Sequence, residues 1–215
     1  MSQMARREKS NGKTIFKSSS PRHISLTVEA GLIPAFSQLL QNGFWIKGYV
    51  GCSVKSFLCE QFGLSPEYLE KRIQTMFLDG DVVDDVERAT VEDGATVSLS
   101  AAMPGLAGAV LRKGGYYAAM RDQISFKGKM MSASLQPGKV LVKLFNMPLR
   151  ELGPVFLEHG IWIESDKFKG VLKARSDDFL RGCGEVLADG RQFGIEQLLE
   201  MDWGRGDIFL RIKTI

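Results

Sequence analysis

The chain has 215 residues, of which 44% are hydrophobic and 25% charged, an ordinary globular composition that needs neither disulfides nor metals to fold. The formal net charge is +3. Residues 1–22 alone carry +5, so residues 23–215 carry −2. This charge argues against a basic nucleic-acid-binding domain in the folded part. Cys52, Cys59 and Cys183 form no CxxC pair and no apolar run spans a bilayer, so we expect free thiols and a cytoplasmic protein.

Residues 1–22 form the first predicted segment. They are polar, rich in serine and cations, and show no hydrophobic periodicity. This composition is typical of a disordered basic tail. A solubilising role is one interpretation of the tail, and binding of nucleic acid is another.

Residues 23–102 carry the pattern of a first α+β domain. Apolar and polar residues alternate over 23–28, which predicts a strand, and the helical pattern that follows ends at Asn42–Gly43. An aromatic strand "GFWIKGYV", a helix capped by Ser53, and strands around Asp-Gly turns complete the segment. This order predicts a mixed sheet with helices packed on one face.

Residues 103–139 lose this periodicity and are rich in glycine, alanine and lysine. Structureless segments of this length are uncommon in compact domains unless they are functional or disordered. We call this segment the arm. Its residues 103–130 carry a net charge of +4, to which Lys127 and Lys129 contribute, whereas the acidic hairpin Asp79–Asp93 carries −6.

These opposite charges predict that the arm docks on the acidic hairpin, within one chain or on a second copy, which is a route to homo-oligomers or to binding another protein. Disorder of the arm is an alternative, and so is binding of an anionic lipid or a nucleic acid, with the tyrosines stacking on bases. The candidate binding residues are Arg112, Lys113, Tyr116, Tyr117 and Arg121 on the arm and Asp81, Asp84 and Asp85 on the hairpin.

Residues 140–215 form a second, smaller α+β block that is similar to the first. A shift of 117 positions aligns "LLQNGFWIK" with "FLEHGIWIE" and places Gly43 on Gly160 and Trp45 on Trp162. A partial duplication and convergent use of one strand–helix–strand pattern both explain this similarity. A hairpin at Asp189–Gly190, a short helix and the strand "DIFLRIKTI" complete the block.

A resemblance to a known family covers residues 51–108. The segments "SVKSFLCEQFGL", "IQTMFLDG", "DVVDDVERATVEDG" and "ATVSLSAAMPG", followed by Gly108, resemble the β-grasp, ubiquitin-like sulfur carriers of molybdopterin and thiamine biosynthesis. The resemblance implies a β-grasp-like sheet in the first domain. Such carriers react at a C-terminal glycine carboxylate, whereas this chain ends in "RIKTI". A carrier function would therefore require cleavage after Gly115, in "VLRKGG", which looks like the tail of ubiquitin.

Catalytic chemistry has one candidate, Cys52, because a thiolate is favoured near a helix N-terminus. Its alternative role is that of a small buried apolar residue. The glycine-rich stretch lacks the order of a phosphate-binding loop, and two histidines without a cysteine pair do not indicate zinc, so we predict no cofactor and no metal. The sequence favours a non-catalytic interaction or assembly module, with the cleaved carrier and a thiol-dependent enzyme as alternatives.

Overall fold

The computed structural model describes residues 23–121, 124–126 and 134–215, so the predicted tail over 1–22 lies outside the described residues. The α+β prediction is confirmed, since helices accompany a large mixed sheet. The strands are β1 (His23–Val28), β2 (Phe44–Val50), β3 (Cys52–Ser53), β4 (Thr75–Leu78), β5 (Asp81–Val82), β6 (Thr90–Val91), β7 (Thr96–Ser100), β8 (Gln136–Leu144), β9 (Ile161–Glu164), β10 (Cys183–Ala188), β11 (Arg191–Phe193) and β12 (Asp207–Thr214).

The helices are mostly short, and several follow a strand directly. They are α1 (Ser37–Asn42), α2 (Pro66–Lys71), α3 (Gly105–Leu111), α4 (Asn146–His159), α5 (Ser165–Ala174), α6 (Ser176–Gly182) and α7 (Ile195–Glu200), together with 3-10 helices over Ala30–Phe36 and Tyr116–Arg121 and a π-helix over Ser56–Gln61. No helix in the described ranges is long and apolar enough to span a bilayer.

Ten strands form one sheet in the order β11-β10-β1-β12-β9-β2-β8-β7-β4-β5. The pairs β1–β12 and β7–β8 are parallel, and the other neighbours in the sheet are antiparallel. Strand β1 lies between β10 and β12, and β8 lies between β2 and β7. The predicted blocks 23–102 and 140–215 therefore contribute strands to each other's half of a single sheet.

One face of this sheet carries the hydrophobic core. Alternate residues of the central strands are buried there, as Phe44, Ile46 and Val142 show, because successive side chains of a strand point to opposite faces. Phe57 of the π-helix and Phe156 of α4 belong to the same buried cluster. On the opposite face, which we call the outer face, the central strands carry half-buried and exposed side chains.

The similarity between the two blocks is visible at the centre of the sheet. Trp45 of β2 and Trp162 of β9, which the sequence alignment superimposes, pair directly across the two strands. Gly43 and Gly160 follow α1 and α4 with nearly equal backbone angles, φ 112°, ψ 142° and φ 102°, ψ 136°. Glycine is needed at both positions because other residues are strained at these angles.

Candidate functional site

The arm docks on the free edge of the sheet, beside β5. The Val82 N–H donates to the Ile124 carbonyl at 2.8 Å, and the Phe126 N–H donates to the Val82 carbonyl at 2.8 Å. The Lys113 N–H also donates to the Gln74 carbonyl next to β4 at 2.7 Å. These bonds satisfy backbone groups of an edge strand that would otherwise be open to another chain. The arm also contains α3 and a 3-10 helix, although its sequence has no clear helical period.

An ion pair between a buried arginine and a partly exposed aspartate joins the arm to the acidic hairpin. Arg121 donates two hydrogen bonds to the Asp84 carboxylate, at 2.6 and 2.8 Å. The Arg121 side chain is 1% exposed and that of Asp84 is 40% exposed. Arg121 also donates to the Val110 carbonyl at 2.7 Å and to the Ser125 hydroxyl at 2.9 Å. The hydrogen bonds from Arg121 hold the pKa of the Asp84 carboxyl below its usual value.

Backbone groups of the arm reinforce this contact. The Gly114 N–H donates to Asp84 Oδ1 at 3.1 Å, and Gly114 has a φ of +60°, a conformation that glycine adopts without strain. The Lys113 ammonium donates to the Leu69 carbonyl at 3.3 Å, and burial lowers the pKa of Lys113. The arm is thus held by one charged pair and several backbone contacts.

The side chains of the remaining predicted site residues do not join this contact, although the Arg112 carbonyl accepts a hydrogen bond from Arg121 at 3.2 Å. Arg112, Tyr116 and Tyr117 are exposed on the arm, and the two tyrosine rings pack edge-to-face, with centroids 5.1 Å apart. Asp81 and Asp85 are exposed on the hairpin. The Asp85 carboxylate accepts hydrogen bonds from backbone N–H groups of its own loop, those of Glu87 and Arg88. Lys127 and Lys129 lie outside the described residues.

Sequence reasoning missed the apolar surface of the arm. Leu106 and Met120 are each 73% exposed, and Tyr116 is 93% exposed. The sequence contains a signal for this surface. The apolar residues of the arm follow neither a helical nor a strand period, so the pattern does not assign them to a buried face. Leucine, methionine and tyrosine are interleaved with the cations of the arm, but this pattern does not show which of these side chains are exposed.

The glycine pair proposed as a processing site lies inside the docked arm. The Gly115 N–H donates to the Arg112 carbonyl at 3.1 Å, and the Gly114 N–H is bound to Asp84. A protease needs an extended, accessible segment. Cleavage after Gly115 would therefore first require release of the arm from the hairpin.

Cys52 does not have the surroundings of a reactive thiolate. Its side chain is buried, 5% exposed, and the thiol donates to the Tyr49 carbonyl at 3.4 Å. The Gln61 amide donates to the sulfur at 3.7 Å. Burial raises the pKa of the Cys52 thiol, whereas a catalytic thiolate needs a lowered pKa. The geometry does not support a role for Cys52 as a nucleophile.

We expect Cys52 to react slowly with iodoacetamide near neutral pH in the folded protein. The thiol is protonated and shielded, so the reaction requires local opening. The measurement is the labelling rate at Cys52, read by peptide mass spectrometry, with the denatured chain as the control. Labelling of the folded protein as fast as that of the denatured chain would show an accessible thiolate and revive the thiol-enzyme hypothesis.

In the described ranges, no group of three or more His, Cys, Asp or Glu side chains is arranged to hold a metal ion. No family model, curated protein or solved structure matches this chain. The resemblance of residues 51–108 to the β-grasp sulfur carriers therefore stays a prediction.

Proposed function

We propose that this chain is a non-catalytic assembly module and that its docked arm forms the contact surface for a second copy of the chain. The observation that carries this proposal is that Leu106 of α3 and Tyr116 and Met120 of the 3-10 helix packed against it are all largely exposed. Large exposed apolar side chains grouped on one segment mark interaction sites. Tyrosine and methionine are also enriched in protein interfaces.

The ion pair beneath this surface supports the proposal because it orders the arm before any partner binds. A flexible glycine-rich segment would lose conformational entropy on association, which weakens binding. Arg121 and Asp84 fix the 3-10 helix that carries Tyr116 and Met120. The arm thus presents its apolar side chains in a defined arrangement.

A second copy is favoured as the partner because exposed charges of both signs lie on the arm and on the hairpin that it contacts. Arg112 is exposed on the arm, and Asp81 and Asp85 are exposed on the hairpin to which the arm is bound. A twofold interface uses the same surface on both partners, so that surface must be self-complementary. Arg112 of one copy can then face the hairpin carboxylates of the other at the rim of the interface.

The double variant Tyr116→Ser/Met120→Ser tests this function. We expect the wild-type chain to sediment as a dimer and the variant as a monomer, with dimer affinity lowered by about tenfold or more, because central aromatic and apolar side chains dominate interface energy. Analytical ultracentrifugation over a concentration series measures both masses.

The matched control is Tyr49→Ser/Met147→Ser, which changes the same residue types at positions 57% and 43% exposed elsewhere. This control should retain the dimer. A wild-type chain that stays monomeric over the whole series would contradict the proposal. So would a dimer that the arm variant does not weaken.

A further inference from the structure

The outer face of the sheet carries a row of aromatic and apolar side chains across the neighbouring strands β8, β2, β9, β12 and β1. Trp45 pairs with Leu141 on one side and with Trp162 on the other, Trp162 pairs with Phe209, and Phe209 pairs with His23. We call these five residues the aromatic band. At a strand spacing of about 4.8 Å the band extends about 19 Å across the sheet.

The rings of the band contact one another and are only partly covered. The ring centroids of Trp162 and Phe209 are 5.5 Å apart, and the His23 ring lies 5.3 Å from Phe209 and 5.6 Å from Trp162. Trp45, Trp162 and Phe209 are half-buried, and His23 is exposed. A sheet face that only met water would carry polar residues at these positions. The band therefore indicates a surface built for contact.

A row of cations runs along one side of the band. Lys47 and Lys139 pair across β2 and β8, and Arg211 lies two residues beyond Phe209 on β12. All three are exposed. Lys47 Nζ lies 3.5 Å from the centroid of the Trp162 ring, and Lys139 Nζ lies 4.5 Å from that of Trp45. Each lysine thus sits over the ring of the tryptophan on the neighbouring strand, so a base that stacks on that ring face must displace the ammonium.

Two carboxylates lie apart from this cation row, and a third, that of Asp93, lies beside Lys139. Glu164 and Asp207 pair at the opposite side of the band, where Glu164 accepts a hydrogen bond from Lys167. Asp93, in the turn next to β8, accepts from the Lys139 backbone N–H at 2.8 Å. Gly160 occupies the position between Lys47 and Arg211. A Cβ at Gly160 would lie 2.1 Å from the Phe209 ring, so glycine there makes room for the ring.

We propose that the aromatic band and its cation row bind single-stranded nucleic acid. Exposed bases stack on aromatic side chains, and the adjoining phosphates bind lysine and arginine. The bases of a duplex are already stacked and not available to a sheet face. An acidic peptide would satisfy the cations but not the rings. The net charge of the folded part does not indicate this site, because a net charge does not show where cations are concentrated on the surface.

This binding surface is separate from the proposed dimer surface. The docked part of the arm, from α3 to Phe126, lies beside β5 at one edge of the sheet. The last residues of the arm, from Gln136, belong to β8, and β4 and β7 separate β5 from β8, where the band begins. The two proposals are therefore independent, and each can fail without the other. Substitutions in the cation row should leave the molecular mass in solution unchanged.

Fluorescence titration of the full chain with mixed-sequence RNA and DNA single strands of about 16 nucleotides tests the proposal. We expect binding with a dissociation constant below about 100 µM that weakens as salt rises. We also expect quenching of tryptophan fluorescence, because Trp45 and Trp162 lie in the band. Trp203 is buried in the core and gives a residual, unquenched signal.

The variant Lys47→Gln/Lys139→Gln should lower affinity about tenfold and reduce the salt dependence by about one unit per lysine. Lys71→Gln/Lys173→Gln is the matched control, since it removes two exposed lysines from helices α2 and α5, and it should bind like the wild type. Polyglutamate should not quench the tryptophans. Absence of binding at low salt, equal binding by the Lys47/Lys139 variant, or equal quenching by polyglutamate would each overturn the proposal.

Discussion

Replacing Asp84 by alanine is expected to release the arm from the sheet edge, at a cost of about 3 kcal/mol in its docking free energy. The substitution leaves the Arg121 guanidinium, 1% exposed, without its counter-charge, and a buried unpaired cation is strongly unfavourable. Because the arm can detach, Arg121 becomes solvated and the rest of the sheet stays folded. Amide hydrogen exchange at Lys113, Gly114 and Phe126 measures the release directly.

The control for this substitution is Asp81→Ala on the same hairpin. Asp81 is exposed and does not bind Arg121, so its loss should change arm exchange by little, about 0.5 kcal/mol or less. If amide protection in the Asp84→Ala protein equalled that of the wild type, the ion pair would not be what holds the arm. The assembly proposal would then lack its explanation for how the contact surface on the arm is held in place.

Gly160→Ala is expected to lower the free energy of unfolding by about 3 kcal/mol. Gly160 has a φ of +102°, which strains any residue with a Cβ. The added methyl group would also lie 2.1 Å from the Phe209 ring. Phe209 must then shift, and it packs against Trp162 and His23. Chemical denaturation monitored by circular dichroism measures the loss.

Gly63→Ala is a reference variant without a steric clash. Gly63 has a φ of +71°, and a Cβ there meets no atom within 4 Å, so this variant carries the backbone strain alone, about 1 kcal/mol. The larger loss expected for Gly160→Ala reports the clash with Phe209 together with the additional backbone strain at φ 102°, ψ 136°. Equal losses would show that the ring moves aside freely and that the aromatic band is not tightly packed.

Local features of this fold could be predicted from the sequence because short-range sterics determine them. The Asp-Gly pairs at 79–80, 93–94 and 189–190 form turns with a positive φ at each glycine, as the sequence predicts. The alternating strand over 23–28 and the glycine stops at Gly43 and Gly160 also appear at the predicted positions.

The pairing of distant strands could not be predicted in the same way. Alternation shows which face of a strand is buried but does not identify its neighbours. Strand β1, for example, lies between two strands of the second block. The order of the elements along the chain does not indicate this arrangement. The aromatic band depends on these pairings, so its five residues, far apart in sequence, become a surface only when the sheet is assembled.

For the candidate site, the opposite charges could be predicted from the sequence, but the specific pair could not. Many cations of the arm and acids of the hairpin could have met, because exposed charges interact weakly and at long range. Burial selects Arg121 and Asp84. The three remaining donors of the guanidinium are satisfied by the Val110 carbonyl, the Ser125 hydroxyl and the Arg112 carbonyl. This selection depends on the path of the arm through the structure. The sequence of the arm has no hydrophobic period from which that path could be predicted.

The measurement that tests the central claim most directly is hydrogen exchange of the full chain at two protein concentrations. The assembly account predicts that amides of α3 and of the 3-10 helix Tyr116–Arg121 exchange more slowly at the higher concentration, because a second copy covers them. Amides of α5 should exchange equally at both concentrations. Exchange in the arm that is independent of concentration, or added protection on another surface, would contradict the account.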